Sequence, residues 1–305
     1  MIAASAAIIL ATSCSGHDEE QAVGQGPVPI TLTATVVDEP EATRTVGTIP
    51  QEGQFTKHTT FYAFFPSGVS IGYDTSSCGT VFTNNGSGGT HPSRQPYFND
   101  DATEITVSAY YPYSADGKQV TNTTASFSVE TDQTSVANYK ASDLLYATAT
   151  VTKENPTAEL NFTHQLSKII VKVKTAFIPE ATVSVTLNNT YTSTALNNGQ
   201  PVNIPNPFNP ATITMGTVTA NTENYAYLSA IIIPQTLDEE TTFITFDVKN
   251  YGIFTYEIPA GGKQFSSGCS YTYDVTVTRT KVIMETTTIS GWHSHHIEQA
   301  SAELW

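Results

Sequence analysis

Cysteine is nearly absent: three in 305 residues, at Cys14, Cys78 and Cys269. They are too few and too widely spaced for a disulfide framework, and none forms the paired spacing that ligates zinc. Basic residues are scarce as well, 13 against 28 acidic ones, for a formal net charge of -15. A chain so charged repels phosphate backbones and offers no basic stripe, which argues against nucleic acid as a partner. Helix-favouring residues at helical spacing are hard to find, so neither a bundle nor a parallel α/β fold is expected. Glycine-rich phosphate loops of the GxGxxG or GxxxxGK[ST] type and a GxSxG elbow are missing too, and no cofactor is implied.

What is abundant is aromatic and β-branched. Fifteen Tyr and 14 Phe are spread along the chain, which is incompatible with a disordered polymer. Thr, Val, Ile, Tyr and Phe recur in short alternating runs at Thr60 to Phe65, Glu104 to Tyr110, Ser126 to Glu130 and Leu144 to Val151. A second series runs from Ala158 to Phe162 through Lys168 to Lys174 and on to Val282 to Ile289. Turn-forming stretches such as Asn84-Asn85-Gly86-Ser87-Gly88-Gly89 separate them. This spacing predicts antiparallel β-sandwiches, and the length predicts two of them in tandem, over 45–157 and 158–305.

The N-terminus reads as an address. Ile2 to Ala11 is apolar but far shorter than the roughly 20 residues of a membrane span, and Thr12 and Ser13 lead directly to Cys14. Residues 1–14 are expected to be a lipoprotein signal with Cys14 as the acylated residue, although Ala11 stands where the usual box has Leu and no Lys or Arg precedes the run. Residues 15–44 then form a tether and a first strand, in which Ile30, Leu32, Ala34 and Val36 alternate with Thr31, Thr33 and Thr35. The acidic, proline-containing loop that follows holds Arg44, the first basic residue of the chain, in a setting open to proteases.

The segment Leu160-Asn161-Phe162-Thr163-His164-Gln165-Leu166-Ser167-Lys168-Ile169-Ile170-Val171-Lys172-Val173-Lys174 resembles the hallmark of the fimbrillin family, the major and minor (Mfa-like) subunits of type V pili. Tyr110-Tyr111-Pro112-Tyr113, Asp143-Leu144-Leu145-Tyr146-Ala147, Thr43-Arg44-Thr45 and Ile289 to Trp292 are similar to further family segments, in the same order. The resemblance implies two transthyretin-like sandwiches, export as an outer-membrane lipoprotein, cleavage between Arg44 and Thr45, and polymerisation by strand exchange with other fimbrillin-type subunits, alike or different. On that reading Ile30, Leu32, Ala34 and Val36 fill a groove that cleavage opens, and the segment with Val282, Met284 and Ile289 is the candidate donor. The alternative is a lipoprotein that stays in the membrane and binds a glycan or a host protein as a monomer.

Other candidates for chemistry are weaker. His164 has no acid or nucleophile pattern beside it in sequence and is expected to be a hydrogen-bonded strand-end residue. His293, His295 and His296 have a spacing that two ligands on one strand face require, but lack a third partner, so no metal site is assigned. The 28 acidic residues single out no catalytic pair, and Tyr110, Tyr111, Tyr113, Tyr271 and Tyr273 are read as core or cross-strand residues rather than a sugar platform. The expected protein is a surface fimbrial subunit, not an enzyme.

Overall fold

The computed structural model describes residues 26–37, 55, 57–72, 78–113, 126–197, 200–201, 210–292 and 298–300. Cys14, Arg44, Thr45 and the three histidines near the C-terminus lie outside the described residues.

The alternating runs become strands, and the all-β expectation holds. Seven of them, β1 (Thr31–Val36), β2 (Thr60–Phe64), β3 (Gly79–Asn84), β4 (Thr90–Pro92), β5 (Glu104–Tyr111), β6 (Leu145–Thr152) and β7 (Thr157–His164), form one sheet in the order β1-β7-β6-β5-β2-β3-β4. The sheet curls so far that its first strand meets its last hairpin, with Thr33 bridging to Gly89. It encloses a core in which Leu32, Phe61, Phe82, Val107, Leu160 and Phe162 are fully buried.

The second core lies between two further sheets. Their strands are β8 (Ser167–Thr175), β9 (Ala181–Thr190), β10 (Ala211–Ala220), β11 (Ala226–Ile232), β12 (Thr242–Val248), β13 (Gly252–Glu257), β14 (Cys269–Val277), β15 (Val282–Gly291) and β16 (Glu298–Ala300). They are ordered β11-β8-β14-β15-β16 and β10-β9-β12-β13. In β8 the alternation expected from sequence is present: Ile169, Val171 and Val173 are fully buried, while Lys172 and Lys174 reach the opposite face and pair with Asp274 at 3.6 Å and Glu285 at 3.0 Å.

Three features depart from the sequence reading. Two pairings are parallel, β1 with β7 and β8 with β14. Only a tight hairpin forces antiparallel neighbours, and these partners are joined by long excursions that allow either direction. A helix, α1 (Val136–Ala141), is capped by Ser135, whose hydroxyl accepts from the Asn138 N–H; six residues are too short for a helical period to be visible. Finally, β7 belongs to the first sheet, whereas Phe127, Val129, Tyr139 and Leu144 pack into the second core. The last strand of the first sheet therefore ends just before Gln165, and the chain enters the second core, returns to the first, and leaves again.

Candidate functional site

The first candidate is the slot that holds β1. Along one edge β1 pairs in parallel with β7, from Thr31 opposite Thr157 to Val36 opposite Phe162 without a register shift. The opposite edge is held differently. The N–H groups of Ile30 and Ala34 donate to the carbonyls of Pro96 and Gly88, each at 2.9 Å. The carbonyls at alternate positions accept from side chains instead: Gln95 Nε2 donates to Ile30 at 2.9 Å, Thr90 Oγ1 to Leu32 at 2.5 Å, and Asn84 Nδ2 to Ala34 at 3.5 Å. Asn84 is oriented for this because its Oδ1 accepts from the Gly86 N–H at 2.6 Å. The turn that carries these groups needs glycine, since Gly86 and Gly88 have φ of 89° and 84°.

Side chains on the inner face of β1 are sealed in the first core. Ile30, Leu32 and Ala34 are at most 2% exposed, while Val36 is only half-buried at the open end. Phe162, opposite Val36, closes that end in a ring cluster with Phe55 and Phe61, at centroid distances of 4.9 Å and 5.1 Å. Burying Ile30 and Leu32 stabilises the strand by about 1.5–3 kcal/mol each. Thr31 and Thr35 point to solvent. Three of the four groove residues expected from sequence thus occupy a closed slot, and the fourth sits at its rim.

The segment named from sequence as a candidate donor lies in β15, which pairs with β14 over its length. Val282 and Met284 stand two residues apart and Ile289 five further on, a parity that a regular strand cannot place on one face. A bulge between the Asp274 and Val275 pairings resolves it: Glu285 is extruded, and all three side chains pack against the second core. The extruded Glu285 accepts hydrogen bonds from Thr276 and from Tyr225, the latter at 3.0 Å, beside Lys174. Burial alone would raise its pKa, but these donors and the lysine outweigh it and hold the carboxylate below its ordinary range.

The second candidate is where the family-like segments converge. His164, at the end of β7, bonds through Nδ1 to Asp143 Oδ1 at 2.7 Å, and its ring lies flat on Trp292 with centroids 3.8 Å apart and planes 2° apart. The Lys168 ammonium sits 5.7 Å from the indole centre. Tyr111 lies close enough to Asp143 that burial, and then the carboxylate, push its phenol well above the ordinary value. The acid partner of His164 was missed because it precedes it by 21 residues, although Asp143 stands in a segment already singled out. Both residues are buried, His164 to 2% and Asp143 to 8%, so no substrate reaches the pair. The backbone N–H of Trp292, bonded to the Gly268 carbonyl at 2.6 Å, and that of Gln165, bonded to the Leu144 carbonyl at 2.9 Å, complete a closed joint between the cores.

The remaining candidates resolve simply. Tyr110, Tyr271 and Tyr273 are buried to 2% or less, and Tyr113 stacks on Tyr62 with centroids 6.2 Å apart. Cys78 and Cys269 are free thiols. Among the described residues no cluster of His, Cys, Asp or Glu could hold a metal, and no helix is long and apolar enough to cross a membrane.

Comparison with known proteins places this architecture. The chain is similar to the crystal structures of two "putative cell adhesion" proteins. One, from Bacteroides uniformis, has 19% identity and a TM-score of 0.63 over 87% of this chain and 98% of its own. The other, from Bacteroides ovatus, has 18% identity and a TM-score of 0.63 over 92% of this chain and 100% of its own. No curated protein matches. The fimbrillin-like family profile matches residues 43–292, a span that takes in the His164 joint and every strand from β2 to β15, and the chain belongs to that fimbrillin-like family.

Proposed function

We propose that this chain is a subunit of a surface fimbria with a role in adhesion, made as a lipoprotein acylated at Cys14 and matured by cleavage between Arg44 and Thr45. Cleavage frees β1, and the emptied slot takes an extended segment of another fimbrillin-type subunit. The observation that carries this reading is the seating of β1. It is a short strand at the end of a sheet, its side chains fill a core built by other strands, and the chain runs from it to β2 through the segment that contains Arg44. A sheet deprived of such a strand exposes unpaired backbone groups and an apolar slot together, which another chain's strand satisfies.

The donor on this reading is the segment beginning at Val282. In a straight slot like that of β1 the side chains on one face are Val282, Met284 and Thr286, a large, large, small series that matches Ile30, Leu32 and Ala34. Ile289 then falls on the other face. The decisive comparison is trypsin-treated wild type against Arg44→Ala by size exclusion and electron microscopy. Wild type should form fibres after clean cleavage, and Arg44→Ala should remain a folded monomer with its own strand in place. A cleaved wild type that stays monomeric, or fibres from Arg44→Ala as abundant as from wild type, would leave the anchored, ligand-binding lipoprotein as the better account.

A further inference from the structure

We infer that Asn84, Thr90 and Gln95 form a carbonyl clamp that decides which strand the slot accepts: an extended segment of a second copy of this chain, parallel to β7, gripped by its backbone and sorted by residue size at three inward positions. The inference rests on the exchange reading above. It begins from an asymmetry in how β1 is held. A backbone ladder secures one edge, but on the other the three inward-facing residues present their carbonyls to three side-chain donors. Such donors touch only the peptide oxygen, so they impose extension and register without reading outward side chains. Those outward residues are threonines, two of them exposed, and nothing in the clamp depends on them.

Size enters on the inner face. Ile30 and Leu32 are buried to 1% and 0%, and the third place is filled by the methyl of Ala34 at 2% exposure. An occupant must therefore offer two large apolar residues and then a small one. Within this chain the Val282, Met284, Thr286 series has that order, which is why the occupant is assigned to a second copy. The clamp residues come from the last position of β3, the first of β4 and the residue before Pro96, none of which the sequence marks as functional.

The test uses the full chain with an engineered protease site between Val37 and Phe55, cut after folding, so that it does not depend on cleavage at Arg44. A fluorescent peptide of residues 26–37 is exchanged into the slot and its release rate measured. Thr90→Val and Gln95→Met keep the volume but remove the donors. Each should speed release roughly tenfold, since a buried carbonyl is left unpaired, whereas Thr90→Ser should restore the slow rate. A peptide with Ala34→Leu should bind at least roughly tenfold more weakly, and one with serine at positions 31, 33 and 35 should bind within about twofold of the original. Wild-type release from both donor-less variants, or equal binding of the Ala34→Leu peptide, overturns the clamp. So does failure of any peptide to enter. Fibre formation by the naturally cleaved chain is read separately, so a failed clamp and a failed exchange reading give different results.

Discussion

At the scale of single residues, the His164 joint is the most exposed to disruption. Its imidazole is enclosed by Asp143 on one side and Trp292 on its face, and removing it leaves a buried carboxylate without this partner as well as a gap under the indole. His164→Ala should therefore lower stability by about 3–5 kcal/mol, and Trp292→Phe, which keeps a ring over the histidine, by less. Urea denaturation checks both, and a His164→Ala protein within about 1 kcal/mol of wild type would show that the joint is incidental.

Buried phenols give a second residue-scale expectation. Tyr110 is pushed up to about 12, first by burial and then by Tyr146, and burial likewise holds the Tyr273 phenol well above its ordinary value. The unfolded chain releases these protons near the ordinary value of 10 while the folded chain retains them. Above that pH the unfolded state binds fewer protons, so stability is complete below pH 10 and falls as pH climbs from 10 towards 12. The urea midpoint should drop between about pH 9 and about pH 11 with little change in slope. A midpoint that stays constant would contradict the burial of these rings.

At the scale of elements, β1 separates what was legible in the sequence from what was not. Its alternation of apolar residues with threonine revealed the strand and its inward face, because period two is a local property. Partner and direction were hidden, since β7 lies more than a hundred residues away and nothing local encodes parallel pairing. The clamp was invisible for the same reason: Asn84, Thr90 and Gln95 are ordinary turn and edge residues until the sheet curls. In contrast, the His164 joint was half visible, its segments being recognisable but their meeting point not. Rim and core positions in β1 should also differ in energy. Leu32→Asp places a carboxylate in a sealed slot and should release the strand, seen as protease sensitivity of residues 26–37, while Val36→Asp at the half-buried end should change little. Equal sensitivity in the two variants would mean that the slot is not closed as described.

At the scale of the whole molecule, charge and anchoring make their own demands. Removal of residues 1–44 takes away six acidic groups and one basic one, leaving 22 acidic and 12 basic, a net charge of -10. The matured protein should flow through heparin and DNA resins at low salt, and salt-sensitive retention would contradict this. Replacing Cys14 by Ser should abolish incorporation of labelled fatty acid and remove the protein from the outer surface. Equal label in the two proteins would reject the lipoprotein signal.

The pairing of β1 with β7 also fixes an order of events during biogenesis. Strand one emerges first from the ribosome, yet the wall it leans on is made 126 positions later, as Thr31 meets Thr157. Until then its apolar residues have no home, and the first sheet cannot close without them. Such a long loop closure is slow, and the most non-local pairing in a small β domain is among the last to form. On the exchange reading, a chain whose other strands pair before β1 is seated would present the same vacant slot as the cleaved form before any partner arrives. If the proposed cleavage and exchange hold, keeping chains apart during that interval, by chaperoning or by tethering each one to a membrane through its N-terminus, would be as important to orderly assembly as the cut.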